Sequence, residues 1–247
     1  MNNKEQFEIL RAAKNLDEIN SYIKMGYDIN VSDDQGRTVL MLSETSAWKM
    51  KELIIAGINI EIEDERGWRA IHHHAAAEYE KACPDKVEIL IESKANLNAQ
   101  TSKVDGGHTP LMLTNHGAIT YLLLKADADT NIRNTEGATA LMLARTPEQI
   151  EIILKKNPTC VNHINIYGAN ALLFHRKSLA SITLLIKAGA NVNQATTKET
   201  MTPFMYCSNP RIMRAFIEAG ADLSIRENNG NNALLSSHST EVTEVIL

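Results

Sequence analysis

The sequence has few of the residues that mark several common classes of protein. Aromatic residues are only 5% of the 247 residues, and there are 12 glycines and 6 prolines. This composition excludes a collagen-like chain and a disordered low-complexity chain. Basic residues are outnumbered by acidic ones, 25 against 30, which argues against a nucleic-acid-binding protein that neutralises phosphates. No run of eighteen apolar residues occurs, so no membrane contact is expected.

The cysteines are also few. Cys83, Cys160 and Cys207 lie far apart, form no Cys-x-x-Cys pair and are odd in number. They therefore predict no disulfide framework, which favours a reducing compartment. The N-terminal residues Met-Asn-Asn-Lys-Glu-Gln are polar and are not followed by the apolar segment of a secretion signal. We expect a cytoplasmic protein, with a secreted effector whose export signal is not readable as the alternative.

What the sequence does contain is a repeated phrase. It begins with a glycine, or once with a threonine, and reads Gly-His-Thr-Pro-Leu-Met-Leu in the third copy; the seven copies start at Gly36, Gly67, Gly107, Gly137, Gly168, Thr200 and Gly230. A second phrase closes each unit, as in Ala-Gly-Ala-Asn-Val-Asn from Ala188. Glycine after an apolar helix favours a left-handed C-cap, and Asp or Asn favours a turn. Thr or Asn after the opening glycine favours a helix N-cap. Each unit is therefore predicted to be a turn, a helix, a short loop and a second helix.

This pattern resembles the ankyrin repeat, which has a period of 33 residues and the opening motif Thr-Pro-Leu-His. The resemblance covers essentially the whole chain and implies an all-α fold, an ankyrin-repeat solenoid of helix pairs joined by β-turn fingers. We expect one domain over residues 1–247, made of an N-terminal half-repeat (1–29), six full repeats (30–229) and a C-terminal short repeat (230–247). Most repeats are two or three residues short, which we expect to fall between the helices. Only His72 keeps the histidine of the motif, and such divergent repeats are similar to those of bacterial or viral ankyrin proteins.

Three consecutive histidines, His72, His73 and His74, are the most conspicuous candidate for chemistry. Consecutive residues on a helix point about 100° apart, so the three side chains cannot converge on one metal ion. A structural role is favoured, with His72 bonding between repeats, His73 in the core and His74 at the edge of the concave face. We also find no nucleophile–base arrangement and no phosphate-binding loop. The sequence thus predicts no enzyme, no catalytic residue, no metal and no cofactor; a metal-dependent enzyme is the weakest alternative.

The resemblance implies that function is carried by a surface. Ankyrin repeats bind partners with the turn tips and the first helix of each pair, which line a concave groove. Trp68 directly follows a turn glycine, where an exposed tryptophan is a candidate hot spot for binding; packing on Arg66 or Arg37 is the alternative. The predicted partner-binding residues lie at the tips or near the ends of first helices: Asp33, Asp34, Arg37, Asp64, Glu65, Arg66, Trp68, Tyr79, Asp105, His108, His116, Arg145, Tyr167, His175, Arg176 and Tyr206.

Charge and repeat length add two expectations. The whole net charge of −5 lies in residues 1–125, with 14 basic and 19 acidic residues. The acidic tips predict a basic patch on the partner and an effect mainly on the association rate. The repeat that starts at Gly67 is 40 residues long, and its inserted stretches, 77–85 and 101–106, are predicted to project near the groove and contact the partner.

We therefore predict a protein–protein interaction module that binds a partner protein through its concave face without catalysis. The protein is expected to be monomeric on its own and to bind no nucleic acid. Two more specific functions stay open. One is an immunity-type inhibitor that occludes a partner enzyme, and the other is a secreted effector or host-range protein that captures a host target.

Overall fold

The structure is a computed structural model and describes residues 1–77 and 82–232. In this part of the chain the extended pairing consists of two isolated antiparallel bridges, Ser32 with Thr38 and Arg226 with Asn232. All other regular elements there are helical. The α-helices are α1 (Asn3–Ala12), α2 (Leu16–Lys24), α3 (Ala47–Ile55), α4 (Ala70–Ala75), α5 (Pro84–Glu92), α6 (Pro110–Leu113), α7 (Gly117–Lys125), α8 (Ala140–Leu143), α9 (Pro147–Lys156), α10 (Ala171–Phe174), α11 (Leu179–Lys187) and α12 (Pro210–Glu218), and the 3₁₀ turns are Val39–Met41 and Pro158–Asn162.

The chain forms two compact units, unit 1 (Met1–Asp129) and unit 2 (Thr130–Leu247). In unit 1, α3 packs on α5 and α5 packs on α7; in unit 2, α9 packs on α11 and α11 packs on α12. The expected all-α fold of helix pairs joined by turn fingers is confirmed. The expected single domain stays a prediction, and most of the C-terminal short repeat lies outside the described residues.

The second helix of each pair contributes a regular row of side chains to the core. One large apolar side chain at a repeating position of each is buried: Leu53, Leu90 and Leu123 in unit 1, and Ile153, Leu185 and Phe216 in unit 2. Burying such a side chain contributes about 1.5–3 kcal/mol. These helices also start with the capping residues that the sequence predicts, since Ser46 accepts a hydrogen bond from Lys49 N and Thr146 accepts one from Gln149 N.

In the five pairs that follow α1 and α2, the first helix is short. It has three residues in the turn Val39–Met41, six in α4, and four in α6, α8 and α10. The residues missing from the repeats are therefore taken mainly from the first helix, whereas we expected the shortening between the helices. A helix of one turn satisfies few of its own main-chain groups, so their partners must come from elsewhere.

Two lysines of unit 1 supply such partners across repeats. Lys49 Nζ donates to the carbonyl oxygens of Arg11, at 2.7 Å, and Ala13, at 2.9 Å. Lys86 Nζ donates to the carbonyl oxygen of Ser43 at 2.6 Å. Both lysines are the third residue of a second helix, and the carbonyls lie at or after the end of the first helix in the preceding repeat. Each lysine therefore caps the C-terminal end of the first helix in the preceding repeat.

Asp and Asn side chains shape the turn fingers. Asn165 Oδ1 accepts hydrogen bonds from Tyr167 N, at 3.0 Å, and Ala169 N, at 2.9 Å, and equivalent pairs of bonds are made by Asp33, Asp64 and Asn134. An acidic or amide side chain at this position therefore builds the finger from within, as expected for an Asx turn.

Main-chain hydrogen bonds join neighbouring fingers inside each unit. In unit 1, Ser102 N donates to Arg66 O at 3.0 Å, and in unit 2, Ile166 N donates to Glu136 O at 3.0 Å. Neighbouring fingers can lie this close because the glycine that begins the repeated phrase, here called the finger glycine, has no side chain. A Cβ added to Gly67, whose φ is +73°, would lie 2.6 Å from Ser102 N. Glycine is thus required at this position both by its dihedral angle and by the neighbouring finger.

Candidate partner-binding surfaces

Trp68, the predicted hot spot, is packed against its neighbours. Its indole N–H donates to a carboxylate oxygen of Asp105 in the next finger. The Arg66 guanidinium carbon lies 4.6 Å from the ring centroid, and the His73 ring lies 5.2 Å away. Arg66 also pairs with Asp105 at 2.6 Å. The packing alternative is therefore the one found: Trp68 holds one finger to the next, and its ring is only partly available to a partner.

The acidic fingertips are mostly paired inside the chain. Asp33 pairs with Arg37 at 2.8 Å, and Asp34 pairs with Lys4 at 2.7 Å. Partial burial opposes ionisation of Asp33, but hydrogen bonds from Arg37 and from main-chain N–H groups lower its pKa. Glu65 is exposed. The negative charges of Asp33 and Asp34 are therefore each balanced by a cation, whereas that of Glu65 is left exposed.

Asp64 corrects the expectation of an exposed acidic tip. Its side chain is only 4% exposed, and Oδ2 lies 2.8 Å from His73 Nε2. Its other oxygen accepts the hydrogen bonds that close the finger. Burial lowers the pKa of His73 although the Asp64 carboxylate opposes that shift. Asp64 thus shapes the finger and positions a histidine, and it cannot face a partner.

His72 lies where the sequence predicts it, bonded between repeats. Its Nδ1 accepts a hydrogen bond from Arg69 N at 3.0 Å, so its Nε2 carries the proton and donates to the carbonyl oxygen of Ala99 at 2.9 Å. Burial lowers its pKa to about 4. A neutral imidazole with both nitrogens engaged is a structural group. Among residues 1–77 and 82–232, no cluster of three His, Cys, Asp or Glu side chains could hold a metal ion.

The expected positions of the other two histidines are reversed, and His175 shares the position of His74. His74 is buried, and its Nε2 lies 2.7 Å from the carbonyl oxygen of Leu40, whereas His73 is partly exposed. His175 is buried too and lies 2.9 Å from the carbonyl oxygen of Leu141. His175 is therefore corrected from an exposed contact to a structural residue. This shared position could have been predicted from the sequence, since each of these two histidines stands seven residues after its finger glycine.

A cavity of about 440 Å³ opens in unit 1 between α1, the turn Val39–Met41 and α4. Arg11 on its wall pairs with Glu8 at 3.3 Å and Glu44 at 3.1 Å. Arg37, also on its wall, is the residue that pairs with Asp33. The cations that line this cavity are thus already neutralised by carboxylates of the same unit.

The remaining predicted residues of unit 1 have local roles or fall outside the described residues. His116 caps α7, since its Nδ1 accepts a hydrogen bond from Ala118 N at 3.2 Å. His108 is half-buried behind the finger, 3.2 Å from the carbonyl oxygen of Asp105. Tyr79 lies outside the described residues, as does part of the inserted stretch 77–85. The stretch 101–106 forms the enlarged finger that meets Trp68, and a role for it in partner contact stays a prediction.

Unit 2 brings three predicted residues together. Tyr167, Arg176 and Tyr206, from two successive repeats, line one cavity of about 340 Å³. Tyr167 is 53% exposed. The Tyr206 hydroxyl donates to Glu199 Oε2 at 2.7 Å, and burial together with this carboxylate raises the pKa of Tyr206. Arg145 is exposed but does not line the cavity.

Phe174 and Lys198 also line this cavity and are absent from the predicted set. Phe174 and Tyr206 each stand six residues after the start of their finger, the same position as His73. Comparing positions within the repeat would have identified Phe174 from the sequence. We define the unit 2 groove as the cavity lined by Tyr167, Phe174, Arg176, Lys198 and Tyr206.

Solved structures decide what fold this is. The ankyrin repeat domain of Bcl-3 matches with a TM-score of 0.71 and 20% sequence identity, covering 86% of this chain and 99% of that domain. The human ASB11 ankyrin repeat domain matches with a TM-score of 0.72 and 20% identity, covering 85% of this chain and 97% of that domain. The chain has the ankyrin-repeat fold. The resemblance drawn from the sequence is confirmed, while a bacterial or viral kind of ankyrin repeat stays a prediction.

Sequence comparison points to the same repeats. No family model matches the sequence. Over 180 residues the chain is 28% identical to human rabankyrin-5 and 26% identical to the mouse protein, and each match covers 69% of this ankyrin-repeat chain. The match spans only 14% of the length of each of these relatives. Ankyrin-repeat domains are in general protein-binding modules without catalytic activity. None of the described helices is long and apolar enough to span a membrane.

Proposed function

We propose that this chain is a protein–protein interaction module without catalysis and that the unit 2 groove is its main binding surface. The observation that carries the proposal is the gathering of Tyr167, Arg176 and Tyr206 around one open cavity. Tyrosine and arginine are the residue types that most often dominate binding energy at interfaces. In unit 1, by contrast, the equivalent candidates are engaged in pairs within the chain.

The unit 2 groove is also held in place before any partner binds. The main chain at Tyr167 is fixed by the hydrogen bond from its N–H to Asn165, and the Tyr206 ring is fixed through its hydroxyl by Glu199. Arg176 Nη1 donates to the carbonyl oxygen of Leu173 at 3.0 Å. Side chains that are already ordered lose less conformational entropy on binding, which supports their use as anchors.

The proposal includes a second, weaker contact and two properties of the whole protein. The Glu65 carboxylate of unit 1 is exposed, and a basic patch on the partner would approach it and speed association. We further propose that the protein is monomeric on its own and acts in the cytoplasm. These statements extend the expectations from the sequence.

A crosslinking experiment tests the proposal. A photoreactive phenylalanine analogue replaces Tyr167 in the groove or Lys187 at the exposed end of α11. Each protein is irradiated in an extract of the cells that produce it and, for the effector alternative, in an extract of host cells. We expect a partner to be captured from position 167 and not from position 187. Tyr167→Ala should then weaken binding of that partner at least tenfold, about 1.4 kcal/mol, without changing the unfolding midpoint.

Two results would overturn the proposal: capture from position 187 alone, or unchanged affinity of the Tyr167→Ala protein. The partner also separates the more specific functions. An immunity-type inhibitor abolishes the activity of a partner enzyme at an equimolar ratio, and an effector binds a protein of a host cell. A generic adaptor does neither.

A further inference from the structure

We propose that the unit 2 groove recognises a partner segment that carries a large apolar side chain and, one or two residues away, a carboxylate side chain. This inference rests on the proposed function and specifies the chemistry of the partner. It comes from two cavities that share a wall, one mainly apolar and one polar and cationic.

The first cavity suits an apolar anchor. Besides the two tyrosine rings it is lined by Ala169, Leu173 and Phe174. Its volume of about 340 Å³ is at the small end of the range for ligand-binding cavities, about 300–1,000 Å³. A cavity of this size accepts a single aromatic or branched aliphatic side chain, and aromatic walls favour an aromatic one through edge or stacking contacts.

The second cavity suits an anion. It has a volume of about 260 Å³ and is lined by Arg176, Lys177, Tyr206, Ser208 and Asn209. Two of these side chains are cations, and the other three are neutral hydrogen-bonding groups. Neither Arg176 nor Lys177 has an ion-pair partner among the described residues, unlike Arg11 and Arg37 in unit 1. A carboxylate that enters this cavity therefore meets a guanidinium fork whose geometry matches its two oxygens.

The positions of the groove's own carboxylates favour the polar cavity as the place where the partner's carboxylate binds. Glu136 and Glu199 line the apolar cavity and are not part of the polar one, and Glu199 already accepts the Tyr206 hydroxyl. An acidic side chain is therefore attracted to the polar cavity, while a basic side chain there would meet Arg176 and Lys177. Arg176 and Tyr206 form the wall between the cavities, so the two anchors must be near neighbours. In an extended segment, side chains two residues apart point the same way.

Selection from a random nonapeptide library displayed on phage tests this inference on the full chain. We expect enriched peptides with Phe, Trp, Leu or Ile within two residues of Asp or Glu. The Arg176→Gln/Lys177→Gln protein should lose this enrichment, and the matched control Lys187→Gln should keep it. In fluorescence anisotropy, changing the acid of the best peptide to its amide should weaken binding at least tenfold to the unaltered protein and less than twofold to the double variant. Circular dichroism melts check that each variant is folded.

The outcomes separate this inference from the proposed function. Enriched peptides without an acid that still fail to bind Tyr167→Ala would overturn carboxylate recognition and leave the groove as a binding surface. Enriched peptides that bind Tyr167→Ala and the double variant normally would overturn both. A library without any enriched sequence overturns the peptide-recognition inference, while crosslinking from position 167 tests the function independently.

Discussion

Replacing Trp68 by alanine should destabilise unit 1 of this ankyrin-repeat protein. The change removes the indole hydrogen bond to Asp105, the cation–π contact with Arg66 and a half-buried ring. A hydrogen bond to a partly exposed carboxylate contributes about 1 kcal/mol, and a cation–π contact at an exposed arginine contributes about 0.5 kcal/mol. With the apolar area of the ring, the expected loss is about 2.5 kcal/mol.

A smaller change separates these contributions. Trp68→Phe keeps one aromatic ring but removes the indole N–H and one of the two fused rings, so we expect a loss of about 1–2 kcal/mol. Asp105→Asn removes the charge that also pairs with Arg66. A double-mutant cycle between these two substitutions should give a coupling free energy of about 1 kcal/mol, because the two groups are in direct contact.

Urea unfolding followed by circular dichroism measures each free energy, and affinity for a captured partner is measured on the same preparations. If Trp68→Ala unfolds at the urea concentration of the unaltered protein and yet loses its partner, Trp68 is a binding hot spot and the packing argument fails. Zero coupling with Asp105→Asn would refute the clamp between the two fingers. Both measurements are needed, since loss of binding with loss of fold reports packing alone.

Three further predictions concern the backbone and pH. Gly67→Ala should lower the free energy of unfolding by about 3 kcal/mol, because the new Cβ meets the next finger. Gly57 has a φ of +92° and nothing within 4 Å of an added Cβ, so Gly57→Ala should lower it by only about 1 kcal/mol. Equal losses would contradict the close approach at Gly67. Lys94, exposed and with φ 67° after α5, should tolerate Lys94→Gly with a gain of about 0.5–1 kcal/mol and a higher melting temperature. Stability should fall as the pH drops from 6.5 towards 4. The pKa values of His72 and His74 are lowered to about 4 in the folded protein, so the unfolded chain takes up protons first as the pH falls. Each of the two histidines then lowers the free energy of unfolding by up to about 1.4 kcal/mol per pH unit. Equal free energies of unfolding at pH 7.5 and 5.5 would contradict this.

The sequence predicted the repeats and their helical content well because both depend on local signals. Finger glycines, capping residues and apolar spacing are read within a single repeat. It predicted His72 correctly for the same reason, since that residue belongs to a known repeat motif. The position of Phe174 was also accessible, because it shares its place in the repeat with Tyr206.

The errors concern contacts that cross from one repeat to the next. The pairing of Asp34 with Lys4 and the burial of Asp64 against His73 depend on where neighbouring elements pack, and residue type alone cannot show this. The position of Trp68 next to a turn glycine is compatible both with an exposed ring and with a packed one. Only the location of Asp105 in the adjacent finger distinguishes the two. Charge at a fingertip therefore predicted solvent exposure poorly in this chain.

Closure of helix ends by side chains of the following repeat limits how repeats can be exchanged within the gene. The carbonyl of Ser43 depends on Lys86, and those of Arg11 and Ala13 depend on Lys49. A recombination event that inserted a copy from unit 2 would place Gln149, Ser181 or Ile212 opposite these oxygens instead of a lysine. Each of these part-buried carbonyls that loses its donor costs about 1 kcal/mol. Repeats of this chain are therefore expected to be gained or lost only where the incoming neighbour brings a matching donor, so that adjacent repeats are inherited together.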